Sequence, residues 1–192
     1  MTEKEKMLAG EIFDSGDAEI IKRWHFAKQL IKEYNLTDST KREKLNEILD
    51  DLLGSKGADI WITAPFYCDF GENIHIGENC EINYNCVFLD CNIIKIGNNA
   101  LIAPNVQIYT VFHPIVSEDR LPKHVHEEFS FCKSLTAPVN IGDNVWLGGG
   151  SIILPGVRIG NNVTIGAGSV VTKDIPDNVL AFGNPCKVIR KL

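Results

Sequence analysis

No apolar run in this chain is long enough to cross a bilayer, which takes about 20 residues. The opening "MTEKEKMLAG" is charged where a secretion signal would carry its apolar core. Basic residues are in the minority. Nineteen Lys and Arg against 25 Asp and Glu leave a net charge of −6, which argues against a nucleic-acid binder, because phosphate binding needs a basic stripe. No Cys-x-x-Cys pair occurs among Cys68, Cys80, Cys86, Cys91, Cys132 and Cys186, and no Gly-x-Ser-x-Gly elbow is present to expose a nucleophilic serine. Without a signal the expected compartment is the reducing cytoplasm, so the cysteines are expected to be buried small hydrophobes rather than disulfides or metal ligands. No membrane or nucleic-acid partner is expected.

What is present falls into two regions of different period. Residues 1–58 read as a helical segment. In "DAEIIKRWHFAKQLIKEY", Ile20, Trp24, Ala27, Ile31 and Tyr34 step by three or four and make one apolar face. A second helix is predicted from near Thr40, where Thr40 and Glu43 have capping-box spacing, to a stop at Gly54. Helices this short are marginal alone and must dock on the rest of the chain.

From about residue 74 the period becomes six. Ile76, Ile82 and Phe88 are followed, after a two-residue slip, by Ile96, Ile102 and Ile108, and later by Ile141, Leu147, Ile153, Ile159, Ile165 and Val171. Four positions after most of them stands a small or β-branched residue such as Cys80, Cys86, Ala100 or Val145. Between them lie "GEN", "GNN" and "GDN", residue types that accept tight corners and positive φ. Neither an amphipathic helix nor a meander gives a strict period of six. A three-sided solenoid does, with one short strand and one corner per hexad, the aliphatic pointing inward. The spacing predicts about four coils over residues 59–192.

The rhythm breaks at "IYTVFHPIVSEDR". Ile108 and Ile141 are not a multiple of six apart, so the solenoid must eject a loop over roughly 113–138. His113 stands where the scaffold ends, and Pro114 restricts it to extended geometry. A rigid element can therefore aim this imidazole, whose ordinary pKa suits proton transfer near neutrality. Cys132, in the loop, is a second nucleophile that could form an acyl-enzyme.

The segments "FYCDFGENIHIG", "INYNCVFLD", "IGNNALIAPNVQIYTVFHP", "IGDNVWLGG", "ILPGVRIG", "GAGSVVTKDIPDNV" and "GNPCKVI" occur in one order along the chain. Together they resemble the maltose/galactoside/nodulation O-acetyltransferases. The leader "MLAGEIFDSGD" with its helices is similar to that family's helical leader. The resemblance implies a left-handed parallel β-helix, a homotrimer with sites between subunits, and direct acetyl transfer from acetyl-CoA to a hydroxyl of a sugar-like acceptor. It makes His113 the general base and Asn83, Asp69 and Asp90 acceptor ligands. Ser15 takes the place of an acidic acceptor ligand, with Asp14 and Asp17 nearby. The implied coenzyme A contacts are Trp146, Gly149, Ala167, Thr172, Lys173, Lys187 and Arg190. Gly149 and Lys187 depart from relatives that carry serine and arginine there, and "SFCKSLTAPV" is longer than the sugar enzymes would have it. No metal is implied.

Two other readings share the prism. A zinc hydratase of the γ-carbonic anhydrase kind would need three convergent ligands, for which His75, His113, His124 and His126 are the candidates. A trimeric scaffold without activity would keep the coils alone.

Overall fold

The computed structural model describes residues 1–121 and 132–192. It opens with three helices, α1 (Glu3–Ala9), α2 (Ala18–Leu36) and α3 (Arg42–Leu52). The second carries the predicted face, with Ile20, Ala27, Ile31 and Tyr34 buried and Trp24 partly so. The predicted capping box at Thr40 is not formed. The Thr40 hydroxyl bonds Asp38 Oδ1 at 2.8 Å, and α3 starts after Lys41 with no side-chain cap. The same spacing does make a box at α1, where Thr2 Oγ1 accepts from Glu5 N at 3.1 Å and Glu5 Oε2 from Thr2 N at 2.7 Å.

The remainder is a parallel β-solenoid with three faces. The first is built from Ser55–Lys56, Ile74–Ile76, Ile94–Ile96, Val139–Ile141 and Arg158–Ile159. The second runs Ile60–Ile62, Cys80–Ile82, Leu101–Ile102, Trp146–Leu147, Thr164–Ile165 and Val179–Phe182, and ends in the antiparallel strand Lys187–Lys191. The third runs Phe66–Cys68, Cys86–Leu89, Gln107–Tyr109, Ile152–Ile153 and Val170–Val171. The chain therefore winds five full coils and part of a sixth, not four. The unpredicted first coil begins at Ser55, ahead of the recognisable hexads.

Register explains the period. Ile62, Ile82, Ile102, Leu147, Ile165 and Ala181 stack in one column and are all buried. All twelve predicted hexad positions are buried, as are the small residues four places on. The corner between the first and second faces explains the "GxN" triplets. A Cβ on Gly97 would fall 2.7 Å from the carbonyl carbon of Gly142 in the next coil. Asn79, Asn99, Asn144, Asn162 and Asn178 all hold φ between 54° and 59°, a left-handed conformation that asparagine tolerates better than most side chains. Their amides form a ladder from Nδ2 to Oδ1 at 2.8–2.9 Å per rung.

Both open ends of the prism are closed. Asn35 of α2 donates Nδ2 to Phe66 O and accepts from Phe66 N, each at 2.9 Å, while Tyr34 Oη donates to Ile62 O at 2.6 Å. At the far end Lys187–Lys191 folds back on Val179–Phe182, and Cys186 N donates to Val170 O at 2.8 Å. The cysteine expectation holds for half of the set. Cys68, Cys80 and Cys86 are buried, but Cys91, Cys132 and Cys186 are only partly covered, and all six are free thiols.

Candidate active site

After Ile108 the chain leaves the third face as the strand Val111–Phe112, which pairs antiparallel with Leu135–Thr136 on the way back. This two-stranded ribbon is the rigid base of the predicted loop, and the coil resumes at Val139. A single helical turn, Ser117–Arg120, follows the exit. The rest of the predicted arm, with His124 and His126, lies outside the described residues.

His113 is the first residue beyond the ribbon. Its Nδ1 lies 2.9 Å from the carbonyl oxygen of Lys133, two residues before the returning strand. A carbonyl only accepts, so Nδ1 carries a proton, and in the neutral ring Nε2 is then the nitrogen with the free lone pair. Cys132 Sγ is 3.4 Å from Nδ1 and 3.9 Å from Nε2, and Ser134 Oγ is 3.5 Å from Nδ1. The ring is exposed and fixed from behind.

The helical leader closes on the same corner. Phe13 makes a main-chain bridge to Ser134. Asn92 Nδ2 reaches Leu8 O at 3.1 Å and Thr136 Oγ1 at 2.9 Å, and the Thr136 hydroxyl donates to Met7 O. Together these tie the end of α1 to the ribbon. Between leader and prism lies a cavity of about 250 Å³ that Ser15, Asp69 and Ser134 share with Phe13 and Trp24.

Asp69 and Asp90 occupy different depths. Asp69 lines the cavity, its Oδ1 accepting from Lys28 Nζ at 3.2 Å. Asp90 is 0% exposed beneath it. Its Oδ1 accepts from the main-chain N–H of Asp69 and of Phe70, both at 2.9 Å, while Oδ2 has no partner. Burial pushes the Asp90 carboxyl up to about 7, against the lowering effect of the Phe70 N–H. Within the chain Asp90 thus supports the Asp69 turn and does not open on the cavity.

The other predicted residues lie elsewhere on the prism. Asn83, Gly149 and Ala167 occupy the corner between the second and third faces. Asn83 Oδ1 there accepts from Tyr84 N at 2.9 Å, and Gly149 O accepts from Gly168 N at 2.9 Å. This corner is cut back to bare main chain. A Cβ on Gly150 would meet nothing within 4 Å, and one on Gly149 would meet Pro104 O at 3.3 Å and Ala103 Cβ at 3.9 Å. Trp146, beside it on the second face, is 53% exposed. Thr172 and Lys173 are exposed just past Val170–Val171, and Lys187 and Arg190 are exposed on the last strand. One corner therefore carries the base with Ser15, Asp69 and Asp90, and a different corner carries the groups expected to meet the donor together with Asn83, expected as an acceptor ligand.

Comparison with known proteins identifies the family. Residues 138–173 match the model for the bacterial transferase hexapeptide (six repeats), and residues 6–57 match that for the maltose acetyltransferase hexapeptide capping motif. Nodulation protein L of Rhizobium meliloti is 46% identical over 97% of this chain and 97% of its own length. The chain belongs to the hexapeptide-repeat acetyltransferases. Among solved members, a maltose O-acetyltransferase from Clostridium difficile 630 superposes with a TM-score of 0.92 at 48% identity, covering 100% of this chain and 98% of that one. A galactoside acetyltransferase in complex with coenzyme A gives 0.90 at 36% identity, over 100% and 91%.

In this hexapeptide-repeat acetyltransferase several residues of the corner were not among the expected site residues, Ser134 and Phe70 among them. Phe13, Trp24 and Cys91 line the cavity. Lys28 lies 4.8 Å from the Trp24 ring, donates to Cys68 O and pairs with Asp69. Only the Trp24–Lys28 spacing, one helical turn, was a local signal. For the zinc reading, His75 sits on the first face with Nδ1 2.9 Å from Ser55 Oγ. Among the described residues no group of three His, Cys, Asp or Glu side chains is arranged to hold a metal ion. No helix among the described residues is long and apolar enough to cross a membrane.

Proposed function

We propose that this protein transfers the acetyl group of acetyl-CoA to a hydroxyl of a sugar or sugar-like acceptor, with His113 as general base, at a site shared between subunits of a homotrimer. The observation that carries the reading is the Nδ1–H···O=C bond from His113 to Lys133. Of the two neutral tautomers it favours the one with Nε2 unprotonated, the form a base must have. Nε2 takes the acceptor's hydroxyl proton as that oxygen attacks the thioester carbonyl. The carbon–oxygen bond forms, the carbon–sulfur bond breaks, and the imidazolium returns its proton to the departing thiolate. No enzyme nucleophile is required.

Shared sites follow from the separation of the two corners. Trp146 and Leu101 leave apolar area exposed side by side in one column of the second face, with Trp61 further along it beyond Glu81, while the first face presents Lys95, Asn140 and Arg158 in register. A second subunit packed on the apolar column supports a trimer in which one chain's His113 corner meets another's glycine-paved corner. There Gly149 and Ala167 let the pantetheine arm approach the main chain, beside Trp146 and Thr172, and Asn83 at the same corner meets the acceptor near the reacting centre. Lys173, Lys187 and Arg190 face the phosphates of the nucleotide end. On the acceptor side Asp69 and Ser15 receive hydroxyls directly, with Asp90 holding Asp69 from below.

Replacing His113 with alanine tests this directly. Acetyl transfer, followed by release of free thiol, falls by about 10²–10⁴-fold, while coenzyme A binding by calorimetry is unchanged. Transfer surviving the replacement would sink the mechanism.

A further inference from the structure

The proposed mechanism leaves one nucleophile idle, the thiol of Cys132. The other five cysteines are poorly placed for solution chemistry. Cys68, Cys80 and Cys86 are buried. Burial, with Asp69 and Asp90 beside it, pushes the Cys91 thiol well up, and burial also pushes up that of Cys186. Cys132 is only partly covered, and its Sγ lies 3.4 Å from His113 Nδ1 and 3.9 Å from Nε2. The sulfur thus has both a ring N–H and the basic nitrogen within reach. A base to take the thiol proton and an N–H to face the resulting thiolate are what make a cysteine nucleophilic. Anything attached to Sγ also stands where a hydroxyl must enter to reach Nε2.

A second sulfur comes to that same nitrogen. In the proposed transfer the departing thiolate of coenzyme A takes its proton from His113, so the donor groove delivers a sulfur to the atom that Cys132 approaches. The disulfide of coenzyme A carries the same pantetheine arm and nucleotide end, and bound there it places its sulfur–sulfur bond beside Sγ. We infer that Cys132 is a thiol–disulfide exchange site for the disulfide of coenzyme A, and that the mixed disulfide covers His113 and stops acetyl transfer. This rests on the proposed function for how the ligand reaches the corner. His113 Nε2 accepts the thiol proton, Sγ attacks one sulfur of the ligand, the ligand's sulfur–sulfur bond breaks, and one coenzyme A leaves as a thiolate that takes the proton back. One disulfide replaces another, so no oxidant is consumed, and a reducing thiol reverses the change.

The experiment follows the full chain by intact and peptide mass spectrometry during incubation with coenzyme A disulfide or, for comparison, oxidised glutathione. One coenzyme A per chain is expected, on Cys132, forming at least tenfold faster than the glutathione adduct. Dethio-coenzyme A, which fills the groove without a thiol, slows the reaction, and His113→Ala slows it about tenfold. After free disulfide is removed, transfer of labelled acetyl to maltose or methyl β-galactoside falls in proportion to the adduct and returns with dithiothreitol. Cys132→Ser, treated in the same way, keeps its own untreated rate. Attachment at Cys186 or another cysteine, equal rates with the two disulfides, indifference to His113→Ala, or transfer undiminished by a complete adduct would overturn the inference and leave the acetyl transfer standing. A protected, His113-dependent adduct on a protein that acetylates neither sugar would spare the exchange site and count against the proposed activity.

Discussion

Phe13, in the leader, bridges through its main chain to Ser134, whose hydroxyl lies 3.5 Å from Nδ1 of His113. Roof and base are thus attached to the same short strand. Displacing the leader would shift the element that orients the imidazole, so acceptor binding and the aim of the base are mechanically linked.

Asp90 should make stability fall with rising pH. Its folded carboxyl titrates at about 7 against an ordinary value of 3.8, so between those values the folded state keeps a proton that the unfolded state has released. Stability is then lost as pH rises through this window, by on the order of 4 kcal/mol in full. Asp90→Asn removes the term. The melting temperature of the variant relative to wild type should climb between pH 5 and pH 8, and parallel curves would refute the assignment.

Gly97→Ala and Gly149→Ala should differ sharply in melting temperature. The new methyl at 97 lands 2.7 Å from main chain of the next coil, whereas at 149 it meets one oxygen at 3.3 Å. The first change is expected to cost about 1–3 kcal/mol or more through overpacking. The second should leave stability nearly unchanged and raise the KM for acetyl-CoA.

Asn144 separates backbone from side chain at the ladder corner. Asn144→Ala loses both ladder bonds and forces alanine to φ 57°, for a loss of about 2–4 kcal/mol. Asn144→Gly loses the bonds but relaxes the backbone, so chemical denaturation should place it between alanine and wild type.

Charge reversal at Lys187 or Arg190 should act on the donor alone. Each is exposed on the last strand, so Lys187→Glu or Arg190→Glu is expected to raise the KM for acetyl-CoA about tenfold, an effect that shrinks as salt rises. Steady-state kinetics at two ionic strengths measures it.

The regular part of the molecule was readable because each hexad obeys one local rule. Ile141 and Ile159 are equivalent by spacing alone, and they stack in register. The first coil escaped because its strands precede the "GEN" corner that sets the phase, and its edges are completed by helix side chains such as Asn35. The capping box shows the limit of local spacing. Thr40 and Glu43 have the right separation, but Asp38 captures the threonine hydroxyl first. His113 was legible as an interruption. Its surroundings were not, since Phe13, Trp24, Cys91 and Ser134 come together from separate elements, and no spacing encodes that meeting.

A column of near-identical rungs has no natural length, and its terminal strands would template further copies. The amide of Asn35 imitates one more rung for Phe66, and the returning Lys187–Lys191 segment occupies the outer strand at the opposite end. Polymerisation into a fibre is thereby denied at each terminus, and a fold built on unlimited repetition stays a discrete, countable particle.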